Sequence, residues 1–124
     1  MTSASARPRL DATGIVLSAL CLIHCLAVPF LATGALAWAA SESLHLGLTA
    51  ALGAVVVAVA VPSYRRHRQP LVPTLLAGGL ALLLAATVGG GALGEAGEGA
   101  VTMLGSVALM VGHALNLRLR ALAR

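Results

Sequence analysis

The sequence GIVLSALCLIHCLAVPFLATGALA, residues 14–37, indicates the fold class because it is both long and apolar. It lies within residues 12–41, which contain no Lys, Arg, Asp or Glu. A helix that rises 1.5 Å per residue needs roughly 20 apolar residues to cross a bilayer, so this stretch predicts one membrane span. Further stretches without those four residue types follow at 43–64, 69–94 and 99–117, and each predicts one more span.

Composition supports a membrane protein over a soluble one. The chain of 124 residues is 59% hydrophobic and 10% charged, whereas about a quarter of a typical soluble domain is charged. We therefore predict an all-α, four-span transmembrane helical bundle that forms one domain over residues 1–124. The predicted spans are residues 14–37, 44–63, 71–93 and 100–117.

Arginine placement predicts the orientation of the bundle. The eight basic residues are all arginines and fall into three groups: before the first span (Arg7, Arg9), between the second and third (Arg65, Arg66, Arg68), and after the fourth (Arg118, Arg120, Arg124). In a four-span bundle these regions share one side, and an excess of basic residues marks the cytoplasmic side. We expect both termini in the cytoplasm, with the lipid bilayer rather than nucleic acid as the partner of the basic groups.

The first span has one polar, sulfur-bearing face. At 100° per residue, seven of its residues fall within an arc of about 80°: Asp11, Gly14, Ser18, Cys21, Cys25, Pro29 and Ala32. The other faces carry mainly aliphatic side chains. We expect the polar face to point into the bundle.

Two cysteines on this face predict a soft-metal site. Cys21 and Cys25 are four residues apart, which places their Cβ atoms about 5–6 Å from each other on a helix. A disulfide needs Cβ atoms about 3.5–4.5 Å apart, so an intact helix disfavours the bond. Two thiolates at the wider spacing can share one soft ion. The alternative is that each cysteine is simply a small buried hydrophobe.

Pro29 and His24 strengthen the metal interpretation. Pro29 has no N–H for the carbonyl of Cys25, so we expect a helix kink and an unbonded carbonyl beside the thiols. His24 lies about 60° around the helix from Cys21, near enough to bind the ion or to accept a released proton. Proline kinks are also common in membrane helices that bind nothing.

The fourth span has a second polar stripe, comprising Thr102, Met103, Ser106, Met110 and His113. By helical rise, His113 falls within a few ångström of the depth of Cys21. An ionisable group inside a membrane is a functional candidate, so the predicted metal ligands are Cys21, Cys25, His24 and His113. Alternatively, the methionines fill the core and His113 reaches toward the headgroups.

The side opposite the arginines carries the remaining titratable residues. We predict that these residues attract cations at an outer mouth: Glu42, His45, Glu95 and Glu98. The alternative is that they are only solvated loop residues.

The motif Leu-Cys-x-x-His-Cys at residues 20–25, with Asp11, Gly14, Ser18 and Pro29, resembles the MerC family of mercuric transport proteins, in particular its chromosomal branch. Later features are similar as well: the pair at 67–68, the Thr-x-x-Gly at 102–105, and His-x-x-Asn-x-Arg at 113–118. This resemblance covers nearly the whole chain.

The resemblance implies a multi-pass protein of the bacterial inner membrane that takes up Hg(II) through Cys21 and Cys25. The plasmid-borne form of the family spaces this pair three apart, and it has a second pair in its cytoplasmic tail, which this sequence lacks. The acceptor of the ion inside the cell, cytosolic thiols or a mercuric reductase, is therefore left open.

Three functions follow from the sequence. We expect a transporter of Hg(II) or another soft metal ion, with the ion as cargo and no permanent cofactor. The alternatives are a membrane protein that binds or senses a thiophilic ion without moving it, and a structural bundle that stabilises a partner. The sequence has no nucleophile–base–acid set, so we do not expect an enzyme.

Overall fold

The computed structural model describes residues 6–31 and 42–123, except for the side chains of residues 6–7, 25–31, 42, 67, 90 and 95. This part of the chain folds into three helices, α1 (Ala6–Leu31), α2 (Glu42–His67) and α3 (Leu71–Leu122). All three pack against one another. The all-α prediction is confirmed for the described residues.

One glycine divides the long helix α3. Gly94 has φ 66° and ψ 165°, a backbone conformation that is open almost only to glycine because it has no Cβ atom. We call the part of α3 before Gly94 the first limb and the part after it the second limb. The two limbs correspond to the predicted third and fourth spans.

Three helical stretches are long and apolar enough to cross a membrane: Ser43–Arg66, Leu71–Gly89 and Ala96–Leu122. The sequence predicted four spans, and the described residues supply three candidates. The predicted first span extends to residue 37, beyond the last described residue of α1, so that span and the orientation of the termini stay predictions. Two of the stretches run past their predicted ends into arginines, because the long arginine side chain lets its charge reach water while its stem stays in apolar surroundings.

The interior of the helix assembly is aliphatic. Leu52 of α2, Leu76 and Leu83 of the first limb, and Leu109 of the second limb are all fully buried. Outward-facing side chains are aliphatic as well, and Val88 is 86% exposed. A surface of this kind is suited to lipid, which is what a multi-pass membrane protein requires.

Two glycines bring the limbs of α3 close together. A Cβ atom added to Gly79 would lie 2.8 Å from the carbonyl oxygen of Gly105 and 2.8 Å from Cγ of Leu109. Gly105 is equally crowded, because its added Cβ would lie 2.9 Å from the carbonyl oxygen of Gly79. Small residues that permit close backbone approach are a usual means of packing helices in lipid.

We therefore expect Gly79→Ala to destabilise the folded protein by about 1–3 kcal/mol, the usual cost of overpacking. The matched control is Gly78→Ala at the adjacent position, where an added Cβ would meet nothing within 4 Å. Thermal unfolding in detergent should show a lower Tm for Gly79→Ala only. Equal Tm values for the two variants would contradict the limb packing.

Candidate functional site

The polar face of α1 points inward, as predicted. Asp11, Ser18 and Cys21 are 0%, 0% and 1% exposed, whereas Ile23 between the motif residues is 61% exposed. The hydroxyl of Ser18 donates a hydrogen bond to the carbonyl of Gly14 at 2.8 Å. The inward orientation is thus confirmed for the described members of this face.

Cys21 lies in the apolar core of the assembly. It belongs to the same buried cluster as Leu52, Val56 and Leu109, which come from the other helices. A metal ion that binds this thiol would have to displace its proton.

The remaining residues of the predicted cysteine site lie beyond Cys21 along α1. The α1 backbone continues through Cys25 and Pro29, but the side chains of both lie outside the described residues. The cysteine pair and the proline kink therefore stay predictions.

The structure brings together two histidines that the sequence assigned to different sites. The rings of His24 on α1 and His45 on α2 have centroids 6.2 Å apart and planes at 85°. Both side chains are half-buried. Glu98 is also half-buried, while the side chains of Glu42 and Glu95 lie outside the described residues, so the outer-mouth prediction stays untested.

A buried carboxylate organises the opposite end of the bundle. Asp11 accepts hydrogen bonds from Nδ2 of Asn116 at 2.9 Å and 2.8 Å, one to each carboxylate oxygen. Nδ1 of His113 lies 3.1 Å from Oδ1 of Asp11, and Nε of Arg120 lies 3.5 Å from Oδ2. The side chain of Asp11 thus contacts three residues of the second limb.

The same cluster reaches α2. The hydroxyl of Ser63 donates a hydrogen bond of 2.5 Å to Oδ1 of Asn116, and Ser63 is 3% exposed. We call Asp11, Ser63, His113, Asn116 and Arg120 the Asp11 network. It connects α1, α2 and the second limb of α3 through polar contacts.

His113 is fixed by Asp11 and packed against Gly14. Because a carboxylate oxygen accepts hydrogen bonds, Nδ1 of His113 is the donor in its contact with Asp11. A Cβ atom on Gly14 would overlap the imidazole, so the absent side chain makes room for the ring. Gly14 precedes Cys21 by two turns, about 10 Å along α1, so His113 lies further from the thiol than the sequence suggested. Its role as a metal ligand stays a prediction.

The second-limb stripe is divided between the interior and the surface. Thr102, Ser106 and His113 are at most 1% exposed, whereas Met103 is 44% exposed and Met110 is half-buried. The polar members of the stripe therefore face the interior, and Met103 faces outward.

Sequence reasoning placed Asp11 on the inward face but did not recognise the Asp11 network. The sequence contained an indication of it, because Asp11 is the only acidic residue next to a group of arginines in the sequence. Asn116 and Arg120 follow His113 at three and seven residues, a spacing that puts all three on one helix face. Within the described side chains, no group of three or more His, Cys, Asp or Glu residues is arranged to hold a metal ion.

Comparison with known proteins identifies one family. The family described as MerC mercury resistance protein matches residues 11–118. The match begins at Asp11 and ends two residues before Arg120, so it includes the cysteine motif and most of the Asp11 network. Searches of curated proteins and of solved structures find no match.

Proposed function

Because the chain belongs to the MerC mercury resistance protein family, we propose that this multi-pass membrane protein carries Hg(II), or another soft metal ion, across the membrane. The family match extends over most of the chain and includes both cysteines of the first-span motif. The observation that carries the proposal is the position of Cys21, a soft-metal ligand that is 1% exposed and lies inside the helix assembly.

The proposed path begins at the side opposite the arginines. The ion exchanges its incoming ligands for the sulfurs of Cys21 and Cys25, and each thiol releases a proton as it binds. Because the arginines mark the cytoplasmic side by the positive-inside rule, transfer away from the cysteines toward that side is uptake across the inner membrane. A cytosolic thiol or a mercuric reductase then receives the ion.

The driving force in this proposal is ligand exchange. The sequence has no phosphate-binding loop of the G-x-x-x-x-G-K-[ST] pattern, so the proposal includes no nucleotide hydrolysis by this chain. Abundant thiols on the cytoplasmic side would bind the arriving ion and keep its free concentration low. No enzymatic activity is proposed.

The alternative function is binding or sensing without transport. Transport moves many ions per chain into a vesicle, whereas binding holds only as many as the protein has sites. Purified protein reconstituted into sealed vesicles that contain a thiol should accumulate labelled Hg(II) well beyond one ion per chain. The control is protein-free vesicles loaded with the same thiol. Uptake that stops at about one ion per chain would contradict transport and support the binding function.

A further inference from the structure

A second candidate metal site lies beside the cysteine motif, where α1 meets α2. His24 follows Cys21 by three residues, about one helical turn, and its ring is 6.2 Å from the ring of His45 by centroids. The two imidazoles come from different helices, so their proximity depends on how α1 and α2 pack. Sequence periodicity alone does not bring them together.

The His45 side of this pair carries hydrogen-bonding capacity that the protein does not use. Nε2 of His45 is buried and has no hydrogen-bond partner within the described part of the chain. Thr49 follows four residues later on the same face of α2, is 2% exposed, and likewise has a hydroxyl without a described partner. Buried polar atoms in proteins nearly always have a partner, which is a protein group, a water molecule or an ion.

Direct ring contact does not explain this arrangement fully. Two aromatic rings at this separation and angle form an ordinary edge-to-face pair. Such a contact accounts for the ring orientation, but it supplies no hydrogen bond to Nε2 of His45. A metal ion bound to Nε2 of His45 would remove the free-energy cost of burying this nitrogen without a partner.

The separation of the rings is slightly larger than two imidazoles on one metal ion require. Imidazole nitrogens bind Zn²⁺ at about 2.0–2.1 Å, so two imidazoles on one ion have centroids roughly 5–6 Å apart. The rings of His24 and His45, at 6.2 Å, would move together by up to about 1 Å when an ion binds. Imidazole is a preferred ligand for zinc, copper and nickel, and it is softer than carboxylate. We propose that His24 and His45 together bind a divalent transition-metal cation, with Thr49 placed to contact a water molecule on that ion.

This histidine site extends the proposed function without depending on the cysteines. It would hold an ion one helical turn from Cys21, on the outer side of the thiol in the predicted orientation. An ion released by the imidazoles could pass to the sulfurs without leaving the protein. The site also predicts that the protein binds borderline cations, such as Zn²⁺, even when both thiols are absent.

The experiment uses full-length protein in which both cysteines are replaced by serine, so that its result is independent of the thiol site. Isothermal titration with Zn²⁺ in detergent should give about one ion per chain. His45→Ala and His24→Ala, made separately in this protein, should each weaken binding at least about tenfold, since one of two ligands is lost. His67→Ala, at the other end of α2, is the matched control and should bind as its parent does.

Folding is checked by the helical circular dichroism signal, and His45→Gln provides a second, polar replacement if His45→Ala loses it. The proposal is overturned if the cysteine-free protein binds no Zn²⁺, or if removal of His45 leaves binding unchanged. Equal weakening by His67→Ala would show adventitious histidine binding and would overturn it as well. Failure here would leave Hg(II) transport by the cysteines untouched, and the reverse also holds.

Discussion

Replacement of Asp11 by alanine is expected to destabilise the folded protein by about 3–5 kcal/mol, the usual cost of removing one partner from a buried ion pair. Asp11 is 0% exposed and contacts His113, Asn116 and Arg120. Its removal would leave the two donors of the Asn116 amide and Nδ1 of His113 facing a space that alanine cannot fill. The substitution weakens the contact between α1 and the second limb of α3, because Asp11 lies on α1 and its three partners lie on that limb.

Two further variants make this prediction specific. Asp11→Asn keeps one carbonyl acceptor but not the charge, so its free energy of unfolding should lie between those of the wild type and Asp11→Ala. Thr13→Ala on the same helix is the matched control, because Thr13 is exposed and its hydroxyl bonds only the carbonyl of Arg9 at 2.8 Å. Unfolding in detergent measures all three. A loss in Asp11→Ala no larger than that in Thr13→Ala would show that the Asp11 network does not hold the helices together.

Much of the fold follows from apolar length and helical periodicity. Long stretches without charge predicted the helices, because only a regular hydrogen-bonded backbone can cross lipid. Periodicity predicted which side of α1 faces inward, and the burial of Asp11, Ser18 and Cys21 confirms it. These features are local, since they depend on the order of residues within one helix.

The contacts between helices were not predictable in the same way. Asp11 and Asn116 are 105 positions apart, and periodicity assigns each to a face without naming its partner. The pairing of His24 with His45 likewise depends on how α1 and α2 pack. The sequence grouped His24 with the thiols and His45 with outer acids, since residues near in sequence were the only neighbours it revealed.

The position of the bend at Gly94 was also not predictable from the sequence. The predicted third and fourth spans left residues 94–99 as a connection, yet the helix continues on both sides of Gly94 and only Gly94 departs from helical dihedral angles. One residue with a positive φ is enough to redirect the chain, and composition does not indicate which of several glycines adopts it. The apolar stretch of the second limb begins at Ala96, whereas the fourth span was predicted to begin at residue 100.

The second large expected effect is a loss of Hg(II) affinity when either cysteine is replaced. With a hydroxyl in place of one sulfur, Cys21→Ser and Cys25→Ser should each lower the affinity for Hg(II) by more than about a hundredfold, because hydroxyl is a hard ligand and Hg(II) a soft ion. Neither change should unfold the bundle, since serine is similar in size to cysteine and can bond to a helix carbonyl, as Ser18 does. Met103→Leu, which removes an exposed thioether, is the control and should bind as the wild type does.

X-ray absorption at the mercury edge, on purified protein loaded with one equivalent of Hg(II) in thiol-free buffer, is the most direct test that two sulfurs share the ion. The wild type and Met103→Leu should show two sulfur atoms in the first coordination shell, and Cys21→Ser should show one. A wild-type spectrum with a single sulfur, or one that Cys21→Ser leaves unchanged, would contradict the paired site.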